Sequence, residues 1–161
     1  MNMKEKEAVF SVVAAIAAIV SAFLAYQAMQ EVKRMTAATT YLDLRHRFYD
    51  IRSQLPSDYR DPNYRPKYNS EDWNKIKYYW YKSFDEWFIA QKLNPDAFGE
   101  LWTGYYLDAI YSALQKTALR TVFCDMRKDE FSQGTRHEFG NAVEKLYAMR
   151  HPNEVLCGTA N

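Results

Sequence analysis

The sequence predicts an all-α protein: one N-terminal transmembrane helix followed by a cytoplasmic bundle of about four to five helices. Three observations lead there. Residues 8–26 carry no charge. Beyond them, apolar residues recur at spacings of three and four, the period of a helix face. Gly and Pro number only 5 each in 161 residues, too few for a turn-dense β fold. The chain divides into a leader (1–7), the span (8–29), a juxtamembrane helix (30–55), a Pro/Tyr/Arg loop (56–69), a helical bundle (70–151) and a tail (152–161).

From Ala8 to Tyr26 only Ser11 and Ser21 interrupt the apolar run. At 1.5 Å per residue that run covers about 28 Å, close to the hydrocarbon thickness of a bilayer. A helix of a soluble protein at this length would carry a polar face, and none is present. A cleaved signal peptide is the competing reading, with Val20 and Ala22 before a cut at Phe23. The leader argues against it, since Glu5 and Glu7 stand beside Lys4 and Lys6, and the helical pattern runs on through Gln30–Arg34. Lys33, Arg34, Arg45 and Arg47 follow the span, outnumbering the basic residues before it. The expectation is therefore an N-terminus outside and a C-terminal domain in the cytoplasm.

Small residues lie four apart along the span: Ala14, Ala18 and Ala22 on one strip, Ala17, Ser21 and Ala25 on the next. Either alanine is merely filling a span, or these strips allow close approach of another helix. Next, Tyr41, Leu44, Phe48, Ile51 and Leu55 form a seam with charges largely on the other faces. It reads as a core-facing stripe, with a short parallel coiled coil as the alternative. No Pro or Gly precedes Pro56, so span and seam form one long helix or two joined near Thr36–Thr40.

The loop holds Pro56, Pro62 and Pro66 and interleaves Tyr59, Arg60, Tyr64, Arg65 and Tyr68. Such a strip lies down on a bundle or contacts bases or lipid headgroups. Ser70 is placed to cap a helix whose first turn holds Glu71 and Asp72. That helix sets Trp73, Ile76, Trp80, Phe84, Trp87 and Phe88 on one stripe, with Lys75, Tyr79, Lys82 and Glu86 opposite. Asn94-Pro95 ends it and opens the next helix, which carries Phe98, Leu101, Trp102, Tyr105 and Ala109. Thr117 caps a short helix with Leu119, Val122, Phe123 and Met126. After Gly134, Thr135 and Glu138 stand at capping-box spacing ahead of Phe139, Val143, Leu146 and Tyr147. Pro152 stops this helix, and Asn153–Asn161 is expected to fray. The core thus expected comprises Phe48, Ile51, Trp73, Ile76, Trp80, Phe84, Trp87, Phe88, Leu101, Trp102, Tyr105, Phe139, Val143 and Leu146.

Three pieces in this order, Arg47–Leu55 with Pro56, then Tyr78–Phe88 (YYWYKSFDEWF), then Leu101–Tyr106 (LWTGYY), resemble a type of uncharacterised small bacterial single-span membrane protein. The resemblance covers about two thirds of the chain. It implies an all-helical, membrane-anchored domain without assigned activity, and it supplies no catalytic residues.

Chemistry-bearing patterns are sparse. His46 lies between two arginines, His137 follows Arg136, and His151 adjoins a proline, so no metal-ligand spacing arises. Cys124 and Cys157 follow no disulfide or metal spacing, and reduced thiols in a cytosolic compartment are expected. Asp85 and Glu86 are adjacent and face different directions, with Glu86 placed to reach Lys82 at the surface. No Gly-rich loop or serine elbow occurs. A net charge of +1 gives no footprint for nucleic acid. No catalytic, cofactor or metal residue is therefore assigned. The function expected is a membrane-anchored helical interaction module, such as an accessory subunit of a membrane complex. Its partners would be the lipid bilayer and another membrane protein or a second copy. The alternative is a membrane-tethered sensor or effector whose bundle binds a lipid headgroup or small ligand, and an enzyme with a scattered site is the third class.

Overall fold

The computed structural model describes residues 3–158 apart from 94, 96, 97, 100 and 101, with the side chains of residues 3–10 outside the description. It is all-helical. The described helices are α1 (Met3–Ser53), α2 (Glu71–Phe88), α3 (Leu107–Leu114), α4 (Thr117–Lys128) and α5 (Gly134–Arg150). A 3-10 turn (Ser57–Arg60) and two π-helical turns (Ile89–Leu93 and Trp102–Tyr106) connect them, and no strand occurs among the described residues. The chain forms two compact units, Met1–Tyr41 and Leu42–Asn161.

The described residues of the first unit all belong to α1. From Ser11 onward α1 is long and apolar enough to cross a membrane, a criterion that a signal sequence near an N-terminus also meets. Val12, Ile16, Ile19 and Phe23 are all more than half exposed on it. The Ala14/Ala18/Ala22 and Ser21/Ala25 strips are likewise exposed. No break falls at Thr36–Thr40; Thr39 donates its hydroxyl to the Met35 carbonyl at 2.9 Å, a bond made within the helix. The helix stops at Ser53, before Pro56, whose ring cannot continue it.

The second unit is built around α2. Ser70 caps it as expected, accepting from the Trp73 backbone N–H at 3.2 Å. α2 packs on α4 and α5, and α3 packs on the same two helices. Trp80, Phe123, Phe131 and Phe139 are fully buried. Their rings interlock: Trp80 lies 4.8 Å from Phe123, and Phe131 meets Phe139 edge-on at 5.4 Å. Two of the indoles are also tied by their N–H groups. Trp80 donates to the Leu119 carbonyl at 2.8 Å, and Trp73 donates to Asp125 at 3.2 Å. Each bond satisfies a polar atom that burial would otherwise penalise.

Of the residues expected in the core, Ile51, Trp73, Ile76, Trp80, Trp87, Trp102, Phe139, Val143 and Leu146 are buried. Phe48, Phe84 and Phe88 are half-buried. Tyr105 is exposed: it sits in the π-helical turn 102–106, whose wider period rotates it off the Trp102 stripe. Leu101 and the capping residue Asn94 lie outside the described residues.

Other local expectations are corrected. Tyr79 and Glu86, expected on the solvent face of α2, are 5% and 6% exposed, because the Leu44–Ile51 stretch of α1 covers that side; Phe48 and Tyr79 rings stand 5.9 Å apart. Lys82 consequently pairs with Asp85 at 3.0 Å rather than with Glu86. Thr117 is the first residue of α4 and Lys116 precedes it without a side-chain cap. Thr135 and Glu138 form no capping box; α5 starts one residue earlier at Gly134, with Gln133 as an uncapped N-cap. Gly134 has φ +57°, a conformation that glycine alone adopts without cost.

The largest correction concerns the thiols. Cys124 and Cys157 form a disulfide, with Cα atoms 5.2 Å apart. The two residues are 33 positions apart, and only the packing of the chain end against α4 brings them together. The tail expected to fray is therefore held through Gly158: Leu156 is buried, and Glu154 accepts from the Tyr147 hydroxyl at 2.7 Å.

A further close approach fixes α5. Arg127 reaches over Gly140 to make a bidentate pair with Glu144 (2.8 and 3.2 Å) and to donate to the Phe131 carbonyl at 2.6 Å. A Cβ on Gly140 would stand 2.3 Å from the Arg127 guanidinium. Gly140→Ala should displace this network and lower stability by about 2 kcal/mol, read by urea denaturation, despite the higher helix propensity of alanine. Trp80→Ala should cost about 4 kcal/mol in the same measurement. Cys157→Ser should cost about 3 kcal/mol by releasing the closed loop in the unfolded chain.

Candidate functional site

Two of the three irregular turns of the second unit meet at one place. The 3-10 turn delivers Tyr59 and Arg60, and the π-helical turn 102–106 delivers Gly104 and Tyr105. With the end of α1, the middle of α2, and α3 and its C-terminal end, they enclose an open cleft of about 560 Å³. That is the size range of sites for small organic ligands. Its apolar walls include Phe48, Leu55 and Leu119, and its cations are Arg52, Arg60 and Lys116. Asp108, the acid on the lining, is already held by Arg150 at 2.6 Å.

Two tyrosines report the electrostatics. Burial pushes the Tyr59 phenol up, but hydrogen bonds from Arg60 and then Arg52, with their charges, more than reverse this and leave it below its ordinary value. Arg60 Nε donates to the Tyr59 oxygen at 2.9 Å. Burial, joined by the Glu86 charge, pushes the Tyr79 phenol well above the usual range, so it remains a neutral hydrogen-bonding group.

A second cavity of about 250 Å³ lies between α1 and α2. Leu44, Phe48, Ile51, Phe88 and Ile89 line it, with Arg47, Lys82 and Asp85 alongside. Glu86 borders it. Burial, aided by the Asp85 charge and opposed by Lys82, raises its carboxyl to about 8. The group is therefore largely protonated at neutral pH.

The expected Tyr/Arg strip does not act as a unit. Only Tyr59 and Arg60 reach the cleft. Tyr64 donates to Asp72, Arg65 lies by the tail, and the Tyr68 ring sits against Trp73 at 4.9 Å. The histidines are occupied otherwise. His151 stacks on Tyr147 at 4.6 Å and hydrogen-bonds the Tyr111 hydroxyl at 2.9 Å; His46 pairs with Asp50 at 3.8 Å; His137 meets Arg127 at 3.4 Å. Among the described residues no group of three His, Cys, Asp or Glu could hold a metal ion. Sequence reasoning missed Arg52, Lys116 and Tyr79. The one available signal was that Arg52 adjoins the seam residue Ile51 without an i±4 acid of its own.

No protein-family model, curated protein or solved structure matches this chain.

The Glu86 carboxyl gives a pH dependence with a definite sign. Its folded value lies above the unfolded 4.5, so the native state binds the proton more tightly. The stabilisation is complete below about pH 4.5 and is lost as pH rises through about 8, at no more than about 1.4 kcal/mol per pH unit. Glu86→Gln should flatten this part of a stability–pH curve and raise the melting temperature at pH 8.5.

Proposed function

We propose that this chain is a membrane-anchored helical interaction module, an accessory component of a larger membrane complex. The observation carrying this reading is the contrast within α1. Its segment from Ser11 presents Val12, Ile16, Ile19, Phe23 and Leu24 uncovered, an apolar surface that in water would drive aggregation. A bilayer satisfies every one of those side chains, and the Ala14/Ala18/Ala22 strip offers a partner helix a close approach. The cleft favours a second reading, a tethered head that binds a small ligand or lipid headgroup.

For orientation, two considerations oppose one another. The basic residues favour a cytoplasmic C-terminal head. However, Arg45 and Arg47 stand at the outer edge of the range over which such charges count, and nearer the span Lys4 and Lys6 balance Lys33 and Arg34. The Cys124–Cys157 bond instead suits an oxidising compartment, since cytosolic thiols are kept reduced. The reading adopted is a span with its N-terminus inside and its disulfide-bearing head outside the cytoplasm.

An alkaline phosphatase fused after Asn161 should be active, and the intact mass of the membrane-extracted chain should retain residues 1–29. An inactive fusion whose cysteines alkylate without prior reduction would return the head to the cytoplasm. For the module itself, gentle solubilisation should recover the chain with a larger membrane protein, and Ala18→Ile should diminish that recovery. Recovery only as a lone monomer would count against it.

A further inference from the structure

Several cations on the second unit are answered by carboxylates. Arg47 pairs with Asp43, Arg127 with Glu144, Arg150 with Asp108 and Lys77 with Glu130. Others, Arg65, Lys67 and Arg136 among them, have no acid within ion-pair distance among the described residues; Arg52, Arg60 and Lys116 share that lack and stand apart because all three border one cleft. Like charges gathered in a concave site repel one another and raise the local potential for anions. The nearest acid on the wall, Asp108, is turned to Arg150 at 2.6 Å and does not neutralise them.

The donor set narrows the anion. Two guanidinium forks and one ammonium exceed what a single carboxylate accepts, and forks match the oxygens of phosphate in bidentate fashion. Arg60 is oriented by its bond to the Tyr59 oxygen at 2.9 Å, which uses Nε and leaves the terminal nitrogens to donate elsewhere. Phe48, Leu55 and Leu119 add an apolar wall that a bare inorganic ion would not use.

We propose that this cleft binds a phosphate ester, its phosphate seated on Arg52, Arg60 and Lys116 and its organic part on Phe48 and Leu55. The proposal rests on reading the head as a binding module. The ester is either a soluble metabolite-sized monoester or the headgroup of an anionic lipid, and the chemistry recognised is the same.

The test uses the full chain in neutral detergent micelles at low salt. Titration calorimetry is run with phenyl phosphate, with benzoate, and with micelles containing long-chain phosphatidic acid. Binding of phenyl phosphate identifies a soluble ligand, and binding of phosphatidic acid alone identifies a headgroup; either supports the site. Arg52→Gln and Arg60→Gln should each weaken binding about tenfold, the equivalent of about 1.4 kcal/mol, and Lys116→Gln somewhat less. These side chains are exposed or half-exposed, so unchanged melting curves should show the variants folded. Arg60→Lys should recover only part of the loss, because an ammonium cannot form the fork.

Arg65→Gln, away from the cleft, should leave binding unchanged. Equal loss in that variant would mean diffuse charge attraction and overturn the site. So would binding by neither phosphate probe, or binding unaffected by both cleft variants. Benzoate binding as tightly as phenyl phosphate would overturn the phosphate assignment. Copurification with a partner protein that persists when Arg52→Gln and Arg60→Gln are combined would leave the module reading standing whichever way these titrations fall.

Discussion

The head depends on one buried contact, the Trp80 indole lodged against α4 with its N–H on the Leu119 carbonyl. Trp80 is fully buried and touches Phe123, while Phe131 and Phe139 extend the same aromatic cluster through α5. Because the donor has a single direction, the bond fixes the rotation of α2 as well as its distance from α4. That rotation decides which residues of α2 face α1. It brings Tyr79 under Phe48, buries Glu86 beside the second cavity and leaves Tyr78 outside, so the cleft and the Glu86 cavity both follow from how one indole is seated.

The irregular turns shape the cleft. A 3-10 turn after Pro56 and a π-helical turn at 102–106 depart from α geometry in opposite senses, one tighter and one wider. Between them they present Arg60 and Tyr105 toward a common space without drawing these polar groups into the core. The charge that accumulates there is stabilised locally by the Tyr59 oxygen, which accepts from Arg60. Glu86, by contrast, is tolerated because protonation removes the charge that burial would penalise.

The first unit obeys a different constraint. Its described apolar side chains from Val12 to Leu24 are exposed on the helix, and in the function proposed above a bilayer covers them. The disulfide then bears on compartment as well as stability, since the same bond that anchors Leu156 against the head is unsuited to a reducing environment.

Composition and periodicity by themselves determined the all-helical class, the long apolar N-terminal helix, the Ser70 cap and the Trp73/Ile76/Trp80/Trp87 stripe. These features depend on residues within a turn or two of each other, which a linear reading can compare. What depends on distant residues was decided by the tertiary structure. Tyr79 and Glu86 look solvent-facing until α1 returns over them, and Arg52, Arg60 and Lys116 meet only when three elements converge. Cys124 and Cys157 look unrelated at 33 positions' separation until packing brings their Cα atoms to 5.2 Å. Helical spacing encodes which face is apolar. It carries no record of what that face, or the polar one, will meet.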